Sequence, residues 1–133
     1  MSRGRILVVD DESTIRQTFR LVLGEEGYEV EEAATGEEGV EKVKQQVFDL
    51  VFFDLVLPGI DGIETFRRMT AVRGGLRVVL LTAYFEQLGE RLEEVRGVGM
   101  SDAFLVKPFG NDEIVRATHR YMTLPKDNPP SEP

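Results

Sequence analysis

Between residues 5 and 123 the chain alternates between two rhythms of apolar residues. One is the short continuous run: Ile6-Leu7-Val8-Val9, Leu50-Val51-Phe52-Phe53, Val78-Val79-Leu80-Leu81 and Ala103-Phe104-Leu105-Val106, with a weaker and more polar run from Tyr28 to Ala34. Runs this short, rich in β-branched and aromatic side chains, predict strands buried on both faces of a parallel sheet. The other rhythm has helical spacing. Ile15, Phe19, Val22 and Leu23 share one face, as do Val40 with Val43, Ile63 with Phe66, Leu88 with Leu92 and Val95, and Ile114 with Val115, Thr118 and Tyr121. Thr35 with Glu38, and Asp61 with Glu64, have the spacing of a capping box at two helix starts. Strand then helix, five times over, predicts an α/β doubly wound sheet. In such sheets ligands gather at the carboxyl ends of the strands.

Composition narrows the function. The 133 residues amount to one domain, with no cysteine to build a zinc ribbon, an iron–sulfur cluster, a thiol nucleophile or a disulfide scaffold. Sixteen Lys and Arg against 24 Asp and Glu give a net charge of −8, and the basic residues form no run. That balance argues against direct nucleic-acid binding and against attraction to anionic lipid. No apolar stretch reaches the length of a membrane span, and the Met-Ser-Arg-Gly-Arg start has no apolar core for a signal peptide, so the reading is a cytoplasmic domain. Four of the six prolines fall in the last nine residues among Lys126, Asp127, Asn128, Ser131 and Glu132. The domain is therefore read as 1–123, and 124–133 as a Pro-rich tail or truncated linker.

The residues that follow the apolar runs carry the chemistry. Asp10, Asp11 and Glu12 follow the first, Asp54 the run at 50–53, Thr82 the run at 78–81 and Lys107 the last. Singly, each has a bland reading as a helix-start charge, a turn former, a strand threonine or a surface lysine. A parallel sheet brings its neighbouring strand ends within about 5 Å of each other. Carboxylates that close repel, so a cation belongs among them, and an oxygen-only site of incomplete coordination suits Mg²⁺.

With those residues in place, the chain resembles the receiver domain of two-component response regulators, similar to the chemotaxis-type single-domain regulators. The matching segments are ILVVDDE at 6–12, FDLVFFDLVLPGIDGIE at 48–64, VVLLTAY at 78–84 and FLVKPF at 104–109. The resemblance implies a flavodoxin-like fold, five parallel strands in the order 2-1-3-4-5 flanked by five helices. It implies that Asp54 accepts a phosphoryl group and that Mg²⁺ is held by Asp11, Asp54 and the backbone carbonyl of Val56, with Asp10 acting mainly through water. Thr82 would hydrogen-bond a phosphoryl oxygen, Lys107 would ion-pair with it, and Phe104 would be the switch aromatic that moves with Thr82. Lys107-Pro108 stands where the family has a cis peptide. Such a domain is a signalling module rather than an enzyme, although it takes part in its own phosphorylation and slow autodephosphorylation. Its implied partners are a sensor histidine kinase or phosphotransfer protein, an output domain or protein on the face of helix 4, strand 5 and helix 5, and a second copy in a homodimer formed on phosphorylation.

Several positions depart from that pattern or compete with it. Twenty-four residues separate Thr82 from Lys107, a few more than the resemblance leads one to expect, and Phe104 stands in place of the more usual tyrosine. Val56 and Tyr84 occupy the two variable positions that flank the approach of hydrolytic water, and neither is an Asn or Glu, which points to a long-lived phosphorylated state. A haloacid-dehalogenase-type phosphatase also uses a strand-end Asp, Mg²⁺, Thr and Lys, but needs an acid two residues after the nucleophile, where this chain has Val56. A pseudo-receiver that only binds a protein partner would not need the full set of Asp10, Asp11, Asp54, Thr82 and Lys107. Gly97-Val98-Gly99 reads as a helix-ending turn rather than a dinucleotide loop, because no strand precedes it and the third glycine is missing. His119 reads as a surface or half-buried helix residue, and Met69, Met100 and Met122 as core filler.

Overall fold

The computed structural model describes residues 2–83, 85–100 and 103–123. Tyr84 and the 124–133 tail lie outside the described residues. Among the described residues ten elements alternate as the apolar rhythm predicts: β1 (Arg5–Val9), α1 (Ser13–Glu25), β2 (Glu29–Ala33), α2 (Gly36–Gln45), β3 (Leu50–Asp54), α3 (Gly62–Val72), β4 (Val78–Thr82), α4 (Phe85–Gly97), β5 (Phe104–Val106) and α5 (Asn111–Thr123). All strand pairs are parallel and the order is β2-β1-β3-β4-β5.

Side chains alternate across the pleat, so each central strand feeds two cores. Leu7, Val9, Val51, Phe53, Val78 and Leu80 pack with Val40, Val43, Ile63, Phe66, Met69 and Val95 from α2, α3 and α4. Ile6, Val8, Leu50, Phe52, Val79 and Leu81 pack with Phe19, Leu23 and Ile114 from α1 and α5. Burial on both faces explains why these strands read as unbroken apolar runs. Met69 and Met100 are buried in the first core and Met122 packs against the second.

The predicted caps form. The side chains of Thr35 and Asp61 accept hydrogen bonds from the Glu38 and Glu64 amides, at 3.1 and 2.9 Å. At the end of α4 the Gly99 amide donates to the Arg96 carbonyl and the Met100 amide to that of Val95, so Gly97-Val98-Gly99 is the expected helix-ending turn. One expectation is corrected. The run at 103–106 predicts a strand buried on both faces, but β5 is an edge strand with Phe104 38% and Val106 37% exposed. An apolar run does not reveal whether a neighbouring strand exists on its far side.

Candidate functional site

Four strands deliver the residues at or just past their carboxyl ends to one end of the sheet. The Asp10 amide donates to the Ala33 carbonyl at 3.0 Å, carrying the β1–β2 ladder one residue beyond β1 and pulling the Asp10 side chain into full burial. Its Oδ1 accepts the Glu12 amide at 2.9 Å, which closes a turn and leaves Asp11 exposed beside it. Asp54 is the last residue of β3, opposite Leu81, and its Oδ1 accepts the Val56 amide at 2.9 Å. Thr82 ends β4 and is buried, and its carbonyl accepts the Lys107 amide at 2.7 Å, which fixes the lysine just past β5.

The loop after Asp54 returns tightly to the sheet. Gly59 has a φ of +79°, which a side chain would strain. Gly62, the first residue of α3, donates to the Leu55 carbonyl at 3.0 Å, and a Cβ there would meet the Leu55 backbone at 2.9 Å. Only glycine lets α3 start this close to the strand that carries Asp54.

Lys107 supplies the cation that the carboxylates require. Its Nζ lies 2.7 Å from Asp54 Oδ2, 2.8 Å from Asp10 Oδ2 and 3.2 Å from Glu12 Oε1, with the side chain only 9% exposed. Burial works against its charge, but Asp10 and Asp54 outweigh that and hold its pKa well above the ordinary lysine value. Burial pushes the Asp10 carboxyl above its ordinary value, against the pull of Lys107 and the Glu12 amide.

A divalent cation fits what remains. Asp10, Asp11 and Asp54 each offer one carboxylate oxygen, and these oxygens lie within 4.8 Å of one another. The buried Asp10 Oδ2 faces the lysine ammonium at 2.8 Å. One ammonium does not balance three carboxylates, and an all-oxygen donor set is the kind that hard cations such as Mg²⁺ take.

The structure thus brings Asp10, Asp11, Asp54 and Lys107 together, with Thr82 on the adjoining strand end. Phe104 sits on the exposed edge strand β5, paired in register with Leu80. The Val56 side chain is 54% exposed and offers no acid beside Asp54, which removes the donor a dehalogenase-type phosphatase requires. His119 is half-buried, with Nε2 3.2 Å from Arg3 Nη2, by the amino end of β1 and so at the far edge of the sheet from Asp54. Sequence reasoning missed Arg16, whose Nη1 donates to the Asp10 carbonyl at 2.7 Å. An arginine early in an amphipathic helix reads as solvent-facing, and nothing in the local pattern distinguishes it.

The chain is similar to known proteins in both sequence and fold. Residues 6–119 match the family described as response regulator receiver domain. The chain is 37% identical over 124 residues to sporulation initiation phosphotransferase F of Bacillus subtilis, spanning 93% of this chain and 98% of that protein. It superposes with a TM-score of 0.82 and 32% identity on a CheY-like receiver domain protein from Methanospirillum hungatei, covering 91% of this chain and 94% of that one. A receiver domain of the sensor histidine kinase PA1611 from Pseudomonas aeruginosa, solved with a magnesium ion coordinated in its active site cleft, superposes with a TM-score of 0.78 at 28% identity, covering 91% and 98% of the two chains. The chain spans only 45% and 27% of two longer relatives that are transcriptional regulators.

Proposed function

This chain belongs to the response regulator receiver family of two-component signalling, and from that premise we propose that it accepts a phosphoryl group on Asp54 in the presence of Mg²⁺. The observation that carries the reading is Lys107 Nζ, nearly buried and within 2.8 Å of both Asp54 and Asp10, beside three carboxylate oxygens spaced for one cation.

The residues divide the work. An Asp54 oxygen attacks phosphorus, forming the acyl phosphate as the bond to the donor's leaving group breaks and its electron pair departs with that group. The Val56 amide holds the other Asp54 oxygen and so aims the attacking one. Asp10, Asp11, Asp54 and the Val56 carbonyl would hold the metal. Bound Mg²⁺ supplies charge neutralisation to the phosphoryl oxygens. Lys107 adds a fixed positive charge, worth most because it is largely screened from water. Thr82 would donate its hydroxyl to a phosphoryl oxygen, and its displacement would draw in the Phe104 ring, re-forming the surface of α4, β5 and α5.

The implied donor is a histidine kinase or phosphotransfer protein, with an output partner or second copy on that surface. We place this exchange in the cytoplasm, and assign the signalling unit to residues 1–123. The reading makes the chain a participant in its own phosphorylation rather than an enzyme acting on other substrates. In the test, the chain is incubated with Mg²⁺ and acetyl phosphate, and intact mass should rise by one phosphoryl group that is stable to acid and labile to base. Asp54→Asn should take up none, and undiminished labelling of that variant overturns the assignment.

A further inference from the structure

Asp11 is the one metal-facing carboxylate that the protein does not hold by its side chain. It is exposed and has no hydrogen-bond or ion-pair partner among the described residues, so its direction is set by the backbone that carries it. That backbone is the Asp10–Asp11 peptide, whose plane is rigid, so fixing the Asp10 carbonyl fixes where Asp11 begins. The Asp10 carbonyl is held by Arg16.

Arg16 stands in the first turns of α1 with its side chain 17% exposed. Nη1 donates to the Asp10 carbonyl at 2.7 Å, while Nε donates to Glu32 Oε1 at 3.0 Å on β2. Glu32 is itself fixed from the far side, its Oε2 accepting from Arg20 Nε at 2.7 Å. The fork of the guanidinium therefore spans from the second strand to the loop after the first, a reach a lysine point charge cannot reproduce. Resting on the phosphoacceptor reading above, we infer that Arg16, braced by Glu32, is a positioning residue that orients Asp11 for the divalent cation.

The sign of the effect separates this role from simple electrostatics. A guanidinium beside an acidic metal site repels a cation, so if Arg16 acted only through its charge, removing it would tighten metal binding. A positioning role requires the opposite. Partners that orient a metal ligand typically contribute about 10–100-fold to affinity.

The experiment uses the full chain and Mn²⁺, with free Mn²⁺ read by electron paramagnetic resonance, and hydrogen exchange of the Glu12 amide read without metal. Arg16→Ala should weaken Mn²⁺ binding by about tenfold and speed exchange of the Glu12 amide, whose bond to Asp10 Oδ1 belongs to the same turn. Arg16→Lys keeps the charge and loses the fork, and should also bind weakly. Glu32→Gln should weaken binding severalfold, whereas Arg20→Ala, which touches the loop only through Glu32, should stay within twofold of the parent. Should Arg16→Ala fail to fold, Arg16→Lys and Glu32→Gln carry the same test. Affinity in the folded Arg16 variants equal to or tighter than the parent's, or rescue by lysine, overturns the inference and leaves the Asp54 reading standing. A parent chain that binds no Mn²⁺ overturns both.

Discussion

The centre of the sheet and its β5 edge are built to different standards. Ile6 to Val9 of β1 and every residue of β3 and β4 are buried. At the edge β5 leaves Phe104 and Val106 more than a third exposed, and α4 buries only Val95 among its described side chains. A polar strap supplements that single apolar anchor: Arg91 Nη2 of α4 donates to Asp61 Oδ2, the cap of α3, at 2.8 Å. The two regions suit different tasks. Carboxylates at the ends of buried strands keep their spacing because moving them means repacking two cores. A strand and helix with few buried contacts can rearrange for little free energy, and switching elements are drawn from that end of the stability range. No helix among the described residues is long and apolar enough to cross a membrane.

The contrast breaks most visibly if the centre is hollowed. Phe52 is fully buried and its ring lies 4.8 Å from that of Phe19. Phe52→Ala should cost about 3–5 kcal/mol in urea unfolding, and a loss below about 1 kcal/mol would mean the centre is not the scaffold described. The junction of the two regions comes next. Lys107→Ala leaves Asp10 and Asp54 without their cation and should cost about 1–3 kcal/mol in metal-free buffer, with part of the loss recovered on adding Mg²⁺. A neutral result would remove the ion-pair role of Lys107.

The strap should respond to acid. Burial pushes the Asp61 carboxyl up, but the Glu64 amide and Arg91 outweigh it and hold the pKa below the ordinary 3.8. The folded chain then releases this proton more readily than the unfolded one. Its stabilising contribution is present above pH 3.8 and is lost as the pH falls through the depressed value. Asp61→Asn keeps a good cap and removes the ion pair, so amide exchange in α4 should quicken severalfold at neutral pH while β3 is unchanged. Equal exchange in α4 would show that the strap holds nothing. The smallest effect belongs to the edge strand: Val106→Ala should cost under about 1 kcal/mol, because its side chain is already partly in water.

How much of this was legible depended on whether the cause was local. The strands and helices were, because burial on both faces writes unbroken apolar runs at Ile6–Val9 or Val78–Leu81, and the caps at Thr35 and Asp61 are short-range hydrogen bonds. The meeting of Asp10, Asp11, Asp54 and Lys107 was legible from the rule that parallel strand ends converge. The strand order was not written in periodicity; it came with the resemblance carried by the DDE and KPF segments. Exposure of β5 was hidden because an apolar run does not show which strand is last. Arg16 and Arg91 were hidden as well, since their partners, the Asp10 carbonyl and Asp61, become neighbours only once the helices pack.

Hydrogen exchange measured along the chain with and without Mg²⁺ and beryllofluoride decides whether charge chemistry at Asp54 acts through the thinly anchored edge. The phosphate mimic should bind, Asp54→Asn should abolish its effect, and changes in protection should concentrate in α4, β5 and the start of α5 while β1, β3 and β4 keep their rates. Failure to take up the mimic, or changes spread evenly through the central strands, would contradict this.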